Sequence, residues 1–112
     1  MMNQTDKTVR KLDPVINQFV TELRRQLGSH IRQLVLFGSR ARGDEREGAD
    51  YDMLVVVDHR TSEPRAKILN IEGQLMEQYG ALVATVLRSE KEWRQTQGFP
   101  LAQNIAKEGV TL

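Results

Sequence analysis

The stretch LFGSRARGDEREGADYDMLVVV, residues 36–57, decides how this chain folds. An apolar run over 34–37 enters it and a second run over 53–57 leaves it. Both are predicted as buried strands, the second because it is dense in β-branched valine. Between them, residues 39–49 are polar and contain two glycines, which predicts a short turn of helix followed by a loop. Gly38-Ser39 closes the first strand, and Asp50-Tyr51-Asp52 opens the second ten residues later. Strand side chains two apart share a face about 6–7 Å apart, so Asp50 and Asp52 project together while Tyr51 points the other way, to pack beneath the sheet.

Two carboxylates leaving one strand make a hard-oxygen site. Such a site suits Mg²⁺, which takes one or two protein carboxylates, several waters and the oxygens of a nucleotide phosphate. Gly38 lets a phosphate approach the backbone, and Ser39 offers a hydroxyl and an amide at a helix start. Asp50 and Asp52 are thus candidate metal ligands, with Gly38 and Ser39 as candidate phosphate contacts. Arg40 and Arg42 follow closely enough to reach a phosphate through a guanidinium fork. The competing reading pairs them with Asp44, Glu45 or Glu47 on the surface, at about 0–1 kcal/mol a pair.

Outward from this stretch, Asp13-Pro14 has the form of an N-cap followed by proline at the first helical position. Ile16, Phe19 or Val20, Leu23 and Leu27 then recur at helical spacing up to Gly28. Downstream, Ile68, Ile71, Leu75 and Tyr79 predict a helix over 64–79, despite Gly73 inside it. Residues 82–87 predict a third strand. Ser89 and Glu92 form a capping-box pattern that opens a short helix, and Pro100 opens a last one with Leu101, Ala102 and Ile105 facing inward before Gly109. The order is α-β-turn-β-α-β-α-α, with no repeat and no low-complexity segment. Trp93 and Phe99 are expected to cover the sheet; His30 and His59, each isolated, to take surface or capping roles; Asp58 to sit in a turn; and Glu77, Glu90 and Glu92 to be solvated.

A length of 112 residues suits one domain, and 39% hydrophobic against 28% charged residues suits a globular rather than a disordered chain. Sixteen basic and fifteen acidic side chains leave a formal charge of +1, so there is no overall basic field and direct nucleic-acid binding is not expected. The absence of cysteine excludes disulfides, thiolate nucleophiles and Cys-based zinc sites within the chain, and fits a cytoplasmic location. No apolar run approaches the ~18 residues of a membrane span, and the polar start MMNQTDKTVRK has no secretory core.

Strand, Gly38-Ser39, ten residues, Asp50-Tyr51-Asp52 and β-branched strand together resemble the minimal nucleotidyltransferase family, single-domain members of the DNA polymerase β-like superfamily. The resemblance is detailed from about Ile31 to Val57, inside LFGSRARGD and DYDMLVVV, and looser elsewhere, including the closing IAKEGVTL. It implies an α/β (α+β) fold, a small mixed sheet of three or four strands flanked by helices, as a single domain over 1–112. It further implies transfer of a nucleoside monophosphate from a triphosphate to an acceptor hydroxyl. Asp50 and Asp52 would hold Mg²⁺, Ser39 and the Gly38 backbone would hold the β- and γ-phosphates, and Asp50, Asp52 and Ser39 would form the catalytic set. Its members resemble antitoxins that add AMP from ATP to a tyrosine of a HEPN-type toxin. That implies ATP as substrate, such a toxin as partner, and a homo- or hetero-oligomer.

The resemblance also implies a third acid on the strand after the long helix, yet ALVATVLRS has none; Ala84 and Thr85 occupy the region. Thr85 could touch a metal-bound water but cannot replace a charge. Two functions stay open: an adenylyltransferase antitoxin completed by its partner, and an impaired binding module that neutralises a helical partner by complex formation.

Overall fold

The computed structural model describes residues 13–112. The polar N-terminal stretch, read above as no secretory signal, lies outside them. Helix α1 (Pro14–Leu27) starts where Asp13 accepts from the amides of Val15 and Ile16, and it ends at Gly28, whose φ of 51° no β-carbon favours. A single 3₁₀ turn leads into β1 (Ile31–Phe37). A one-turn helix α2 (Ser39–Arg42) and a loop follow, then β2 (Tyr51–Val57), α3 (Ser62–Tyr79), β3 (Val83–Ser89), α4 (Glu90–Gln95), α5 (Pro100–Glu108) and β4 (Val110–Thr111).

The strands form one mixed sheet in the order β3-β2-β1-β4. β1 is antiparallel to β2 and β4, while β2 and β3 are parallel, with Asp52 beside Ala84 and Met53 beside Thr85. The fold class is the expected one. β4 joins as a fourth strand of two residues, too short to carry a periodic signal; it forms because the chain after α5 returns to the free edge of β1.

Alternation along β2 sorts the two layers. Tyr51, Met53, Val55 and Val57 face α1 and α3, packing with Ile16, Phe19, Leu23, Ile68, Ile71 and Leu75. Phe19, Leu23, Ile71 and Leu75 are fully buried, each contributing roughly 1.5–3 kcal/mol of apolar transfer. Leu54 and Val56 face the other way, toward Val35 and Ile105, with Phe37, Val86 and Trp93 against them. Asp52 belongs to this second, thinner layer by parity. The second layer leaves the strand ends beside Asp52 open, which is what a substrate site needs.

Several inward assignments do not hold. Phe99 is 61% exposed and Leu101 36%, because α5 turns Ala102 and Ile105 to the sheet instead. Trp93 does pack on the second layer, as expected. Tyr79 sits at the last position of α3 and is 39% exposed, with its hydroxyl donating to Gln18. Glu92 is not merely solvated: it closes the capping box with Ser89 and takes a two-pronged bond from Arg60, which together hold its carboxyl down to about 2. His30 and Asp58 pair at 2.8 Å at the surface. Gly73 has ordinary helical φ and open space where a β-carbon would go. Gly73→Ala is therefore expected to stabilise the protein by about 0.5–1 kcal/mol, visible as a higher denaturant midpoint with unchanged slope.

Candidate functional site

The site is assembled where β1 ends and β2 begins. Gly38 leaves β1 with φ 78°, ψ −160°, and its carbonyl accepts the amides of Ala41 and Arg42, so the chain turns at once into α2. Gly43, φ 81°, stops the helix after one turn. Only glycine fits at position 38, for a second reason as well: a β-carbon there would collide with the Asp52 carboxylate. The turn and the acid therefore touch. Asp52 stands opposite Phe37 in the ladder, which sets it beside the Gly38 corner, and Asp50 precedes it on the same side. The Ser39 hydroxyl makes no hydrogen bond to a described residue.

Tyr51 fixes the mouth of β2 from beneath. Tyr51 is 6% exposed and its hydroxyl donates to Asp13 Oδ2 at 2.8 Å, so the residue that caps α1 also anchors the mouth of β2, where Asp50 precedes the strand and Asp52 lies in it. Burial, then the Asp13 bond and charge, push the phenol up to about 12. The Arg40 guanidinium lies over the ring, 3.9 Å from its centroid, and its Nε donates to the Ala49 carbonyl at 3.0 Å. In this structure Arg40 braces the loop. Arg42 pairs with Asp44, as the surface reading expected, and also with Glu108.

The Asp52 carboxyl is raised above the ordinary range, first by burial and then by the charge of Asp50. Glu108 adds to the rise and Arg42 opposes it. Two acids whose repulsion Arg42 only partly offsets form a donor set that a divalent cation would relieve, so the residues fit one. No group of three or more acidic or histidine side chains at metal-binding distance exists among the described residues. The chain thus offers two carboxylates and leaves the remaining positions to water and phosphate oxygens, the ligand balance Mg²⁺ prefers. Beside this corner, Ser39, Arg42 and Arg46 border a shallow concavity of about 460 Å³.

Two readings of the sequence change here. Thr85 cannot touch a metal-bound water at this site, because its partner Met53 faces the opposite layer from Asp52. Its hydroxyl is buried without a hydrogen bond and lines a cleft of about 650 Å³ with Arg60, Arg65 and Arg88. Ala84 is the residue beside Asp52, and it is exposed. The sequence reading missed Glu108 altogether. It arrives from the end of α5 and accepts the Gly38 amide at 2.8 Å. Only the looser likeness of IAKEGVTL pointed to that region.

The profile of the nucleotidyltransferase domain matches residues 16–111. The chain belongs to that family. Family members act on a nucleoside triphosphate with a divalent metal, in keeping with the paired aspartates and the glycine corner. The domain is 28% identical over 100 residues to a Methanocaldococcus jannaschii protein named as a candidate protein adenylyltransferase, covering 89% of this chain and 96% of that one. A second protein of that organism, named in the same way, is 30% identical over 74 residues, 65% of this chain and 75% of that one. Among solved structures, a toxin-antitoxin crystallised with AMP-PNP superposes with TM-score 0.59 at 18% identity, over 83% of this chain and 68% of the other. The MntA-HpeT toxin-antitoxin superposes with TM-score 0.59 at 16% identity, over 85% and 69%. These superpositions establish the nucleotidyltransferase fold, and the family is the one the Gly-Ser and Asp-x-Asp spacing indicated. No helix among the described residues is long and apolar enough to cross a membrane.

Proposed function

We propose that this domain is a protein adenylyltransferase that moves AMP from Mg-ATP to a tyrosine hydroxyl of a HEPN-type toxin in the cytoplasm, and so acts as its antitoxin. The observation that carries the reading is the contact between the Gly38 corner and the Asp52 carboxylate, with Asp50 alongside. The two named adenylyltransferase relatives support the group transferred, and the toxin-antitoxin neighbours suggest the partner.

Asp50 and Asp52 would hold Mg²⁺, which when bound would neutralise charge on the transferring phosphoryl group. Ser39 through its hydroxyl, Gly38 through its amide and Arg42 through its guanidinium would hold the β- and γ-phosphates. Arg40 would join them only by leaving Ala49 and the Tyr51 ring. The acceptor oxygen attacks the α-phosphorus, the bond to the β-phosphate oxygen breaks, and pyrophosphate leaves. Beside Asp52, β3 presents Ala84 and no base, so the hydroxyl proton would pass to the partner or to water.

Absence of that acid favours a second reading, in which the domain neutralises its partner by binding alone. Labelled ATP, Mg²⁺ and the partner toxin separate the two. Label on the partner that disappears with Asp50→Ala or Asp52→Ala supports the transferase. Neutralisation that persists in both variants, with no label in either, replaces it with the binder.

A further inference from the structure

Glu108 is the last residue of α5, and its carboxylate sits on donors that the preceding reading gives to the triphosphate. Its Oε2 accepts the Gly38 amide at 2.8 Å, and Arg42 Nη1 donates to Oε1 and Oε2 at 3.1 and 3.2 Å. The fold, not chance, puts it there. The next residue, Gly109, has its amide on the Ile105 carbonyl at 2.8 Å, and a β-carbon on it would meet that oxygen at 2.5 Å and Val35 Cγ1 at 2.6 Å. The chain then pairs with Leu36 and Val35 of β1. The backbone at 108 is thus pinned one strand away from the glycine corner, while the side chain, 22% exposed, retains a way out to solvent.

A carboxylate and a phosphate compete for the same pair of donors, since both present two anionic oxygens at matching spacing. Asp50, Asp52 and Glu108 also outnumber Arg42 in charge, so a bare polyphosphate meets net repulsion there unless a cation comes with it. We propose that Glu108 is a displaceable occupant of the phosphate seat, and that it adds to the preference of the site for a cation-bound triphosphate over free polyphosphate. It keeps the Gly38 amide and the Arg42 guanidinium aligned in the free protein, and it swings to solvent when the metal-bound phosphates arrive. This inference rests on the nucleotide site proposed above.

The test uses the full chain, wild type and Glu108→Gln, with calorimetry for Mg-ATP and for metal-free tripolyphosphate, and ¹H–¹⁵N spectra that report both folding and the Gly38 amide. Glutamine keeps the shape and one acceptor but loses the charge. Mg-ATP should bind Glu108→Gln about tenfold more tightly than wild type, because its phosphates no longer displace a charge-assisted bond. Metal-free tripolyphosphate should bind the variant more tightly than the wild type, though still more weakly than Mg-ATP because Asp50 and Asp52 remain, and Mg-ATP should move the Gly38 amide signal of the wild type. If Mg-ATP binds the wild type but binds Glu108→Gln equally or more weakly, the occupant idea is overturned, and Glu108 is a fixed support for Arg42. If Mg-ATP binds neither folded protein, the nucleotide site itself fails and takes this inference with it. Should Glu108→Gln not fold, the wild-type Gly38 signal decides: movement on Mg-ATP addition supports displacement, and a stationary signal overturns it.

Discussion

Asp52→Asn is expected to lower nucleotidyl transfer by about 10³-fold while raising the melting temperature of the metal-free protein. The loss follows from the metal's share of transition-state stabilisation, several kcal/mol, at about 1.4 kcal/mol for each factor of ten. The gain in stability follows from the raised Asp52 carboxyl. Burial and the neighbouring Asp50 and Glu108 charges disfavour its ionised form in the folded state. For a group raised above its unfolded value, the contribution to stability is full below that unfolded value, near 3.8, and is lost as pH rises through the folded one. At neutral pH the ionised acid is a burden that asparagine removes, so the melting temperature is expected to rise. Thermal melts with and without Mg²⁺ check both halves. The wild type should gain stability on Mg²⁺ addition and lose that gain on acidification through the Asp52 titration, whereas Asp52→Asn should start higher, gain less from Mg²⁺ and show only the acid response of the other carboxylates, Glu92 among them. A variant that melts lower than wild type without metal would contradict the electrostatic account of this corner.

Gly38→Ala has the second largest expected effect. Its backbone sits at φ 78°, where an L side chain costs about 1–2 kcal/mol, and its new methyl would also occupy space now held by the Asp52 carboxylate. Because Asp52 stands in a ladder between Phe37 and Ala84, it cannot yield without turning its carboxylate from the corner. We expect a stability loss of about 2–4 kcal/mol by denaturant titration and at least a tenfold loss of Mg-ATP affinity. Gly43→Ala is the matched control. Gly43 also has positive φ, 81°, but open space around its missing β-carbon, so it should lose about 1 kcal/mol and keep its affinity. Equal affinity losses in the two variants would show that strain in α2, not the Gly38–Asp52 contact, governs the site.

The Asp13-Pro14 start of α1, the Ser89/Glu92 capping box and the valine-rich β2 were legible because each rests on interactions within a few residues. The Gly38-Ser39 and Asp50-x-Asp52 pair was legible for the same reason, since strand parity fixes which side chains share a face. Phe99 and Leu101 were misread because periodicity identifies a stripe on α5 but not its rotation about the sheet. Thr85 was misread because the face it takes depends on the register of β3 against β2, a choice made between positions 32 residues apart.

The chain's local chemistry alone therefore determined the order of its helices and first three strands, the two acids at the mouth of β2 and the glycine corner that precedes them. Tertiary structure alone decided that the acid and the corner touch, that β3 presents Ala84 rather than a carboxylate beside them, and that Glu108 returns from the far end of the chain to sit on the Gly38 amide. The physical reason is range: backbone propensity and side-chain parity act over a few residues, whereas the contacts that finish this site join positions 14, 32 and 70 residues apart, which only the packing of helices on a sheet brings together.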